Sequence, residues 1–196
     1  MPVAARAEAA LRKLALFVML MCSVAAASPT AQYGRRRREP REYSNPNAGL
    51  ELRQLFPHAA SFSPLGGTPP HITAYGAAPR PDAAAQPLGF AFWTTDLAPS
   101  ERGYHGPIRI LVGMTVAGTL TGVVGDSDTE PYGYFSVETP EFAAQFVGKS
   151  VRDAFRVGSD VDAVSRASLS IGSAARAIRD SSRLVARALL NPSDVK

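Results

Sequence analysis

Two β-rich runs, Pro107–Val116 (PIRILVGMTV) and Thr119–Val124, stand on either side of Ala117-Gly118. Branched and aliphatic side chains suit a pleated surface, and glycine supplies the positive φ that a tight connection demands. The pattern predicts an antiparallel hairpin, which restricts the chain to folds built around such a sheet. A third run, Leu88–Thr95 (LGFAFWTT), combines aromatic with small residues and stops at turn-forming Asp96 and Pro99, so it predicts another strand. Thr73–Tyr75 predicts an edge strand. Gly113, inside the first hairpin strand, marks a bulge, a point where something flat approaches the backbone, or a mere twist point.

Helical signals flank these strands. Leu52, Leu55 and Phe56 line one side of a short helical turn over Leu50–Phe56, which Pro57 stops. Thr139-Pro140-Glu141 reads as an N-cap, an N1 proline and an early acid, ahead of Phe142, Ala143, Phe146 and Val147, with Gly148 as the stop. From about Ser168 to Leu190 the spacing predicts an amphipathic helix. Ile171, Ala174, Ala175, Ile178, Val185 and Leu189 share one side, and Arg176, Arg179, Arg183 and Arg187 share the other. Such a basic stripe is read as a solvated face, with partner docking as the alternative. Asn191-Pro192 ends the helix. The fold class expected is α+β, a curved and mainly antiparallel sheet packed against two helices, with an irregular N-terminal lead-in that includes much of residues 57–87.

The length of 196 residues fits one ordinary domain with tails. Arg6, Arg12 and Lys13 precede an apolar run over Leu14–Ala25, and Ala25 and Ala27 have cleavage-site spacing, so residues 1–27 read as a secretory signal. The run of about twelve apolar residues is short of the roughly 20 needed to span a bilayer. Cys22, the single cysteine, falls in this segment, so the mature chain is expected to hold no disulfide, thiolate nucleophile or cysteine-bound metal. Residues 28–48 read as a basic, proline-punctuated linker, 49–190 as the folded domain and 191–196 as a tail. The formal charge of +4 divides unevenly. Arg35–Arg38 and Arg41 face only Glu39 and Glu42 in the linker, whereas residues 49–196 carry thirteen basic against fourteen acidic residues. A near-neutral body lacks the basic face that nucleic-acid binding requires. The arginine arm is a solvated lead-in or, alternatively, a site for a polyanion or an anionic lipid.

Hydrolytic and metal chemistry find little support. His58, His71 and His105 lie in loop-like surroundings without a second ligand at metal spacing, and read as surface residues. Asp126, Asp128 and Glu130 hint at a cation but lack the regular spacing of a calcium loop. The informative stretch is Asp160–Ser170 (DVDAVSRASLS), directly before the last helix. Serines at a helix start are ordinarily caps. A helix N-terminus is also favourable for an anion, because unpaired N–H groups and the positive end of the helix dipole meet there, so a phosphate at Ser168 would be stabilised.

Asp162–Ser168 (DAVSRAS) resembles the flavinylation motif of the FMN-binding domains found in NosR-type regulators and in the NqrC and RnfG subunits of ion-pumping redox complexes. Gly103–Ile108 (GYHGPI), Ile110–Gly113 (ILVG), Gly118–Gly122, Glu130-Pro131 and Phe146–Ser150 (FVGKS) extend the likeness. Leu52–Pro57 and Gly89–Asp96 are similar to the lead-in of NosR-type periplasmic domains, so the resemblance covers about residues 50–190. It implies FMN bound covalently, its phosphate esterified to a hydroxyl by a dedicated flavin transferase. Ser168 stands where the family has threonine, and Asp162 matches the acid expected to be needed by the transferase. Ser165, Ala167 and Ser170 complete the cofactor-binding stretch. Arg166 replaces the glycine common in NqrC and RnfG, and pairs with the cofactor phosphate or is an exposed cation.

The function expected from this resemblance is that of a periplasmic electron carrier, possessing no substrate chemistry of its own and exchanging electrons with a redox partner protein at the membrane or in the periplasm. The alternatives are an unflavinylated interaction module of the same fold and a flavin reductase acting on a diffusible substrate. For the reductase, no paired acid and base stand near the motif.

Overall fold

Strands β1 (Ser61–Phe62), β2 (Ile72–Tyr75), β3 (Pro87–Trp93), β4 (Ile110–Thr115) and β5 (Leu120–Gly125) form an antiparallel meander in chain order. The computed structural model describes residues 48–77, 83–104, 106–125, 137–163, 165, 167–193 and 195. The leader expected over 1–27, the arm at Arg35–Arg41, His105, the acidic run from Asp126 to Glu130 with Pro131, and Arg166 all lie outside those residues.

Alternation along β3 and β4 divides the core. Phe92, Ile110, Val112 and Met114 point to one face, where they join Leu120, Val123, Phe142, Phe146, Ile171 and Ile178. Ala91, Trp93 and Leu111 point to the other, with Leu52, Leu55, Phe56, Ile72 and Ala74. A sheet buried on both faces needs a cover on each. Helix α1 (Ala48–Leu55) covers the second face. The first is covered by α3 (Pro140–Ala144) and by the 22-residue α4 (Ser168–Leu189), which buries Ile171, Ala174, Ala175, Ile178 and Val185 as its periodicity requires. The class is therefore α+β.

Three expectations are modified. Thr73–Tyr75 is not an edge, because β1 pairs outside it through Ser61 with Tyr75 and Phe62 with Ala74. The run Leu88–Thr95 stops being a strand at Trp93, and Thr94 opens the short helix α2 (Thr94–Leu97). The reason is a buried staple: the Thr94 hydroxyl donates to the Ile108 carbonyl at 2.9 Å and accepts the Ile110 N–H at 3.0 Å, turning the chain inward. Helix α3 ends at Ala144, and Gly148, at φ 80°, lies in the turn beyond it with its N–H donated to the Leu120 carbonyl.

Gly113 has a definite role. It pairs with Ala91 on β3 and Gly122 on β5, the β4–β5 register shifts between Gly113 and Met114, and a Cβ built on it would lie 3.0 Å from Leu55 Cβ and 3.3 Å from Phe56 Cε2. A Cβ on Gly89 would lie 2.8 Å from Phe56 Cε1, and one on Gly122 would lie 3.3 Å from Leu55 Cδ2. The glycine is both a bulge and a close approach, and the flat group over it is the Phe56 ring. Three adjacent strands thus present bare backbone on which the end of α1 rests.

Candidate functional site

Ser168 is the first residue of α4 and is exposed. The N-cap is Ala167, at φ −118° and ψ 14°, whose methyl side chain makes no capping hydrogen bond. The first intrahelical bond runs from the Ile171 N–H to the Ala167 carbonyl at 2.9 Å. The N–H groups ahead of it have no intrahelical acceptor, and they meet the positive end of the helix dipole.

The sequence-predicted residues divide by exposure. Ser165, Asp162 and Ser168 are exposed, whereas Ala167 and Ser170 are fully buried. The buried pair anchors the helix start in the core while the Ser168 hydroxyl stays on the outside. Leu169, beside Ser168, leaves 46% of its surface exposed, an apolar patch against which a flat ring could lie.

Two clips fix the chain that leads into this site. The Asp160 carboxylate accepts the backbone N–H groups of Phe155, at 2.9 Å, and of Arg156, and pairs with the Lys149 ammonium at 3.3 Å. Burial pushes this carboxyl up, but the two N–H donors and the ammonium outweigh it and hold it below the usual carboxylate range. The grip closes a turn in which Phe155 adopts φ 53° while its ring is buried and stacked on Phe146. Such a backbone is costly for a residue other than glycine and persists only where its surroundings fix it. Two residues on, the Asp162 N–H donates to Gln145 Oε1 at 2.6 Å, tying the motif's first residue to the C-cap of α3.

On the other side, α4 is fastened to the loop after α2. The Ser173 hydroxyl donates to the Arg102 carbonyl at 2.7 Å, and Arg176 Nε donates to Glu101 Oε2 at 2.9 Å. That loop is closed by the Gly103 N–H donating to the Gly106 carbonyl, and it carries the half-exposed ring of Tyr104. Gln145 and Lys149 are absent from the sequence reading of the site. Lys149 lies in the Phe146–Ser150 stretch without a role assigned to it there, and each of the two acts through a single side chain placed by α3 and the turn that follows.

The histidines and arginines fit the structural roles only in part. His58 is exposed, while His71 is half-buried, hydrogen-bonded through Nδ1 to the Pro69 carbonyl and edge-on to Phe90. The basic stripe of α4 is mostly engaged within the protein: Arg176 with Glu101, Arg179 with Asp180, and Arg183 with the carbonyls of Val151 and Asp153. Among the described residues, no group of three or more His, Cys, Asp or Glu is placed to hold a metal ion, and no helix is long and apolar enough to cross a membrane.

The fold and this exposed helix start define a small α+β domain that presents one hydroxyl at the head of a buried helix. Residues 103–182 match the family model of the FMN-binding domain, a span running from the Tyr104 loop through β4, β5 and α3 to the middle of α4, with Ser168 inside it. Over residues 103–182 the chain is thus similar to FMN-binding domains. No curated protein matches the chain.

Proposed function

We propose that this protein is an exported electron carrier that holds FMN covalently through its phosphate on Ser168, as in NosR-type domains. The observation that carries the reading is the exposure of Ser168 at the start of α4, inside the matched span. A phosphoester there places the anion against the N–H groups of the first turn, where it is favoured. The residues fit the group: an accessible hydroxyl, a helix start whose N-cap Ala167 makes no capping hydrogen bond, and exposed apolar surface at Leu169.

Attachment balances as a phosphoryl transfer from FAD. The Ser168 oxygen bonds to the phosphorus nearer the flavin, the pyrophosphate bond breaks, AMP leaves, and the hydroxyl proton passes to a base of the transferase. Asp162 is the residue of this chain that the transferase engages, held on the surface by its N–H bond to Gln145. Once bound, FMN supplies one- and two-electron chemistry, and the protein's part is to retain and orient it. The remaining residues act by position. Ala167 and Ser170 anchor the helix start in the core, and the Asp160 clip fixes the approach. In this reading the chain transforms no substrate itself and exchanges electrons with a protein partner in the periplasm or at the membrane.

Mass spectrometry of exported protein, co-expressed with a flavin transferase, tests this directly. The peptide containing Ser168 is expected to gain the mass of FMN less one water, and Ser168→Ala is expected to lose it with an unchanged melting temperature. An unmodified peptide from the wild-type chain overturns the covalent reading in favour of an interaction module, and rapid turnover of a nicotinamide substrate without a partner overturns the carrier role.

A further inference from the structure

At the far end of α4 lies an open groove of about 440 Å³, lined by Val151, Arg152, Arg183, Arg187, Leu190 and Val195, with Ala186 and Pro192 completing it. We infer that this groove docks an acidic, aliphatic segment of a partner polypeptide, at a site separate from the flavin attachment point.

The floor is apolar and recessed: Val151, Ala186 and Leu190 expose less than a tenth of their surface each, and the side chains of Val151, Leu190 and Val195 close over Gly118 at the β4–β5 turn. The rim is cationic. Arg183 is held in place, its Nε donating to the Val151 carbonyl at 3.0 Å and its Nη2 to the Asp153 carbonyl at 2.8 Å. Arg152 and Arg187 are exposed, and among the described residues neither is ion-paired with a carboxylate. Among the described residues, no acidic residue lines the groove. Three guanidinium groups around an apolar floor complement an occupant that carries carboxylates beside aliphatic side chains. A flat anionic bilayer meets the rim but does not reach a floor recessed beneath it, whereas a chain segment can insert its side chains. The groove volume is in the range of specific binding clefts.

The location has a functional corollary. Arg187 lies nineteen residues beyond Ser168, roughly 28 Å along the helix at 1.5 Å per residue. A segment docked there leaves the head of α4 clear, so one partner can be tethered while another approaches the flavin.

The assay uses the full-length exported chain without flavin, so it does not depend on modification of Ser168. A fluorescein-labelled peptide alternating glutamate and leucine is titrated with the protein and followed by anisotropy, beside its lysine–leucine counterpart and vesicles containing anionic lipid. The acidic peptide is expected to bind, more weakly at high salt. Arg152→Glu with Arg187→Glu should reduce that affinity roughly tenfold or more, both sites being exposed charges at the rim. The melting temperature of this double variant should match wild type, and Ser168→Ala should bind as wild type does. Equal binding of the lysine peptide, unchanged binding by the double variant, or binding of vesicles but not of the acidic peptide overturns the inference.

Discussion

Gln145 Oε1 accepts the Asp162 N–H at 2.6 Å, and through this bond the end of a five-residue helix sets where the stretch Asp162–Ser168 begins. The two residues are seventeen positions apart, and their contact makes the approach to that stretch part of the fold.

Replacing this acceptor should therefore act on modification more than on folding. Gln145→Leu removes one hydrogen bond at an exposed site, worth about 1 kcal/mol. A severalfold slower incorporation of FMN is expected, followed by flavin fluorescence of the denatured protein, with Gln145→Glu, which retains a side-chain acceptor, close to wild type. Equal rates for the leucine variant and wild type would remove Gln145 from a positioning role.

Asp160 gives the domain an acid-sensitive clip. Its folded-state carboxyl lies below its ordinary value, so the charged form is favoured by folding. This stability is fully present above the unfolded value of about 3.9 and is lost as pH falls through the lower folded value. Asp160→Asn should cost about 1–3 kcal/mol near neutral pH, because charge-assisted bonds to Phe155, Arg156 and Lys149 are weakened. Urea unfolding at pH 7 and at pH 3 checks the sign: the gap between variant and wild type must narrow at the lower pH.

The bare backbone beneath α1 should tolerate no side chain. A Cβ on Gly113 would sit 2.3 Å from Thr121 Oγ1 and 3.0 Å from Leu55 Cβ. Gly113→Ala is expected to destabilise the domain by about 1–3 kcal/mol through overpacking, read as a lower urea midpoint. Flavin incorporation into the remaining folded fraction should not change.

Threonine in place of Ser168 supplies the same hydroxyl on a stiffer side chain, and the exposed first position of α4 leaves space for its methyl group. Ser168→Thr should accept FMN at least as fast as wild type in a time course with the transferase. Complete loss of incorporation would show that the serine is recognised for its size rather than its hydroxyl.

Much of this fold was legible because its signals are local. The Ala117-Gly118 turn, the Thr139-Pro140 cap and the 3.6-residue period of α4 each lie within a short window, and the corresponding elements form at those places. The long-range terms were not legible. Thr94 reads as a strand residue until Ile108 and Ile110 offer it a buried carbonyl and N–H. Thr73–Tyr75 reads as an edge until the two-residue β1, too short to leave a pattern, pairs beside it. At the site, the composition of Asp162–Ser170 was visible, but its separation into exposed Ser165 and Ser168 and buried Ala167 and Ser170 follows from how the start of α4 packs against the sheet. The contributions of Gln145 and Lys149 arise only after the chain has folded.

Because α4 packs its inner face across the sheet while its first residue stands outside, the mounting point has little independent freedom. Any group fixed to Ser168 inherits the stiffness of the whole interior, apart from the few bonds of its own tether. A carrier built this way would hold its orientation between one encounter and the next, and loosening that grip would require melting the domain itself.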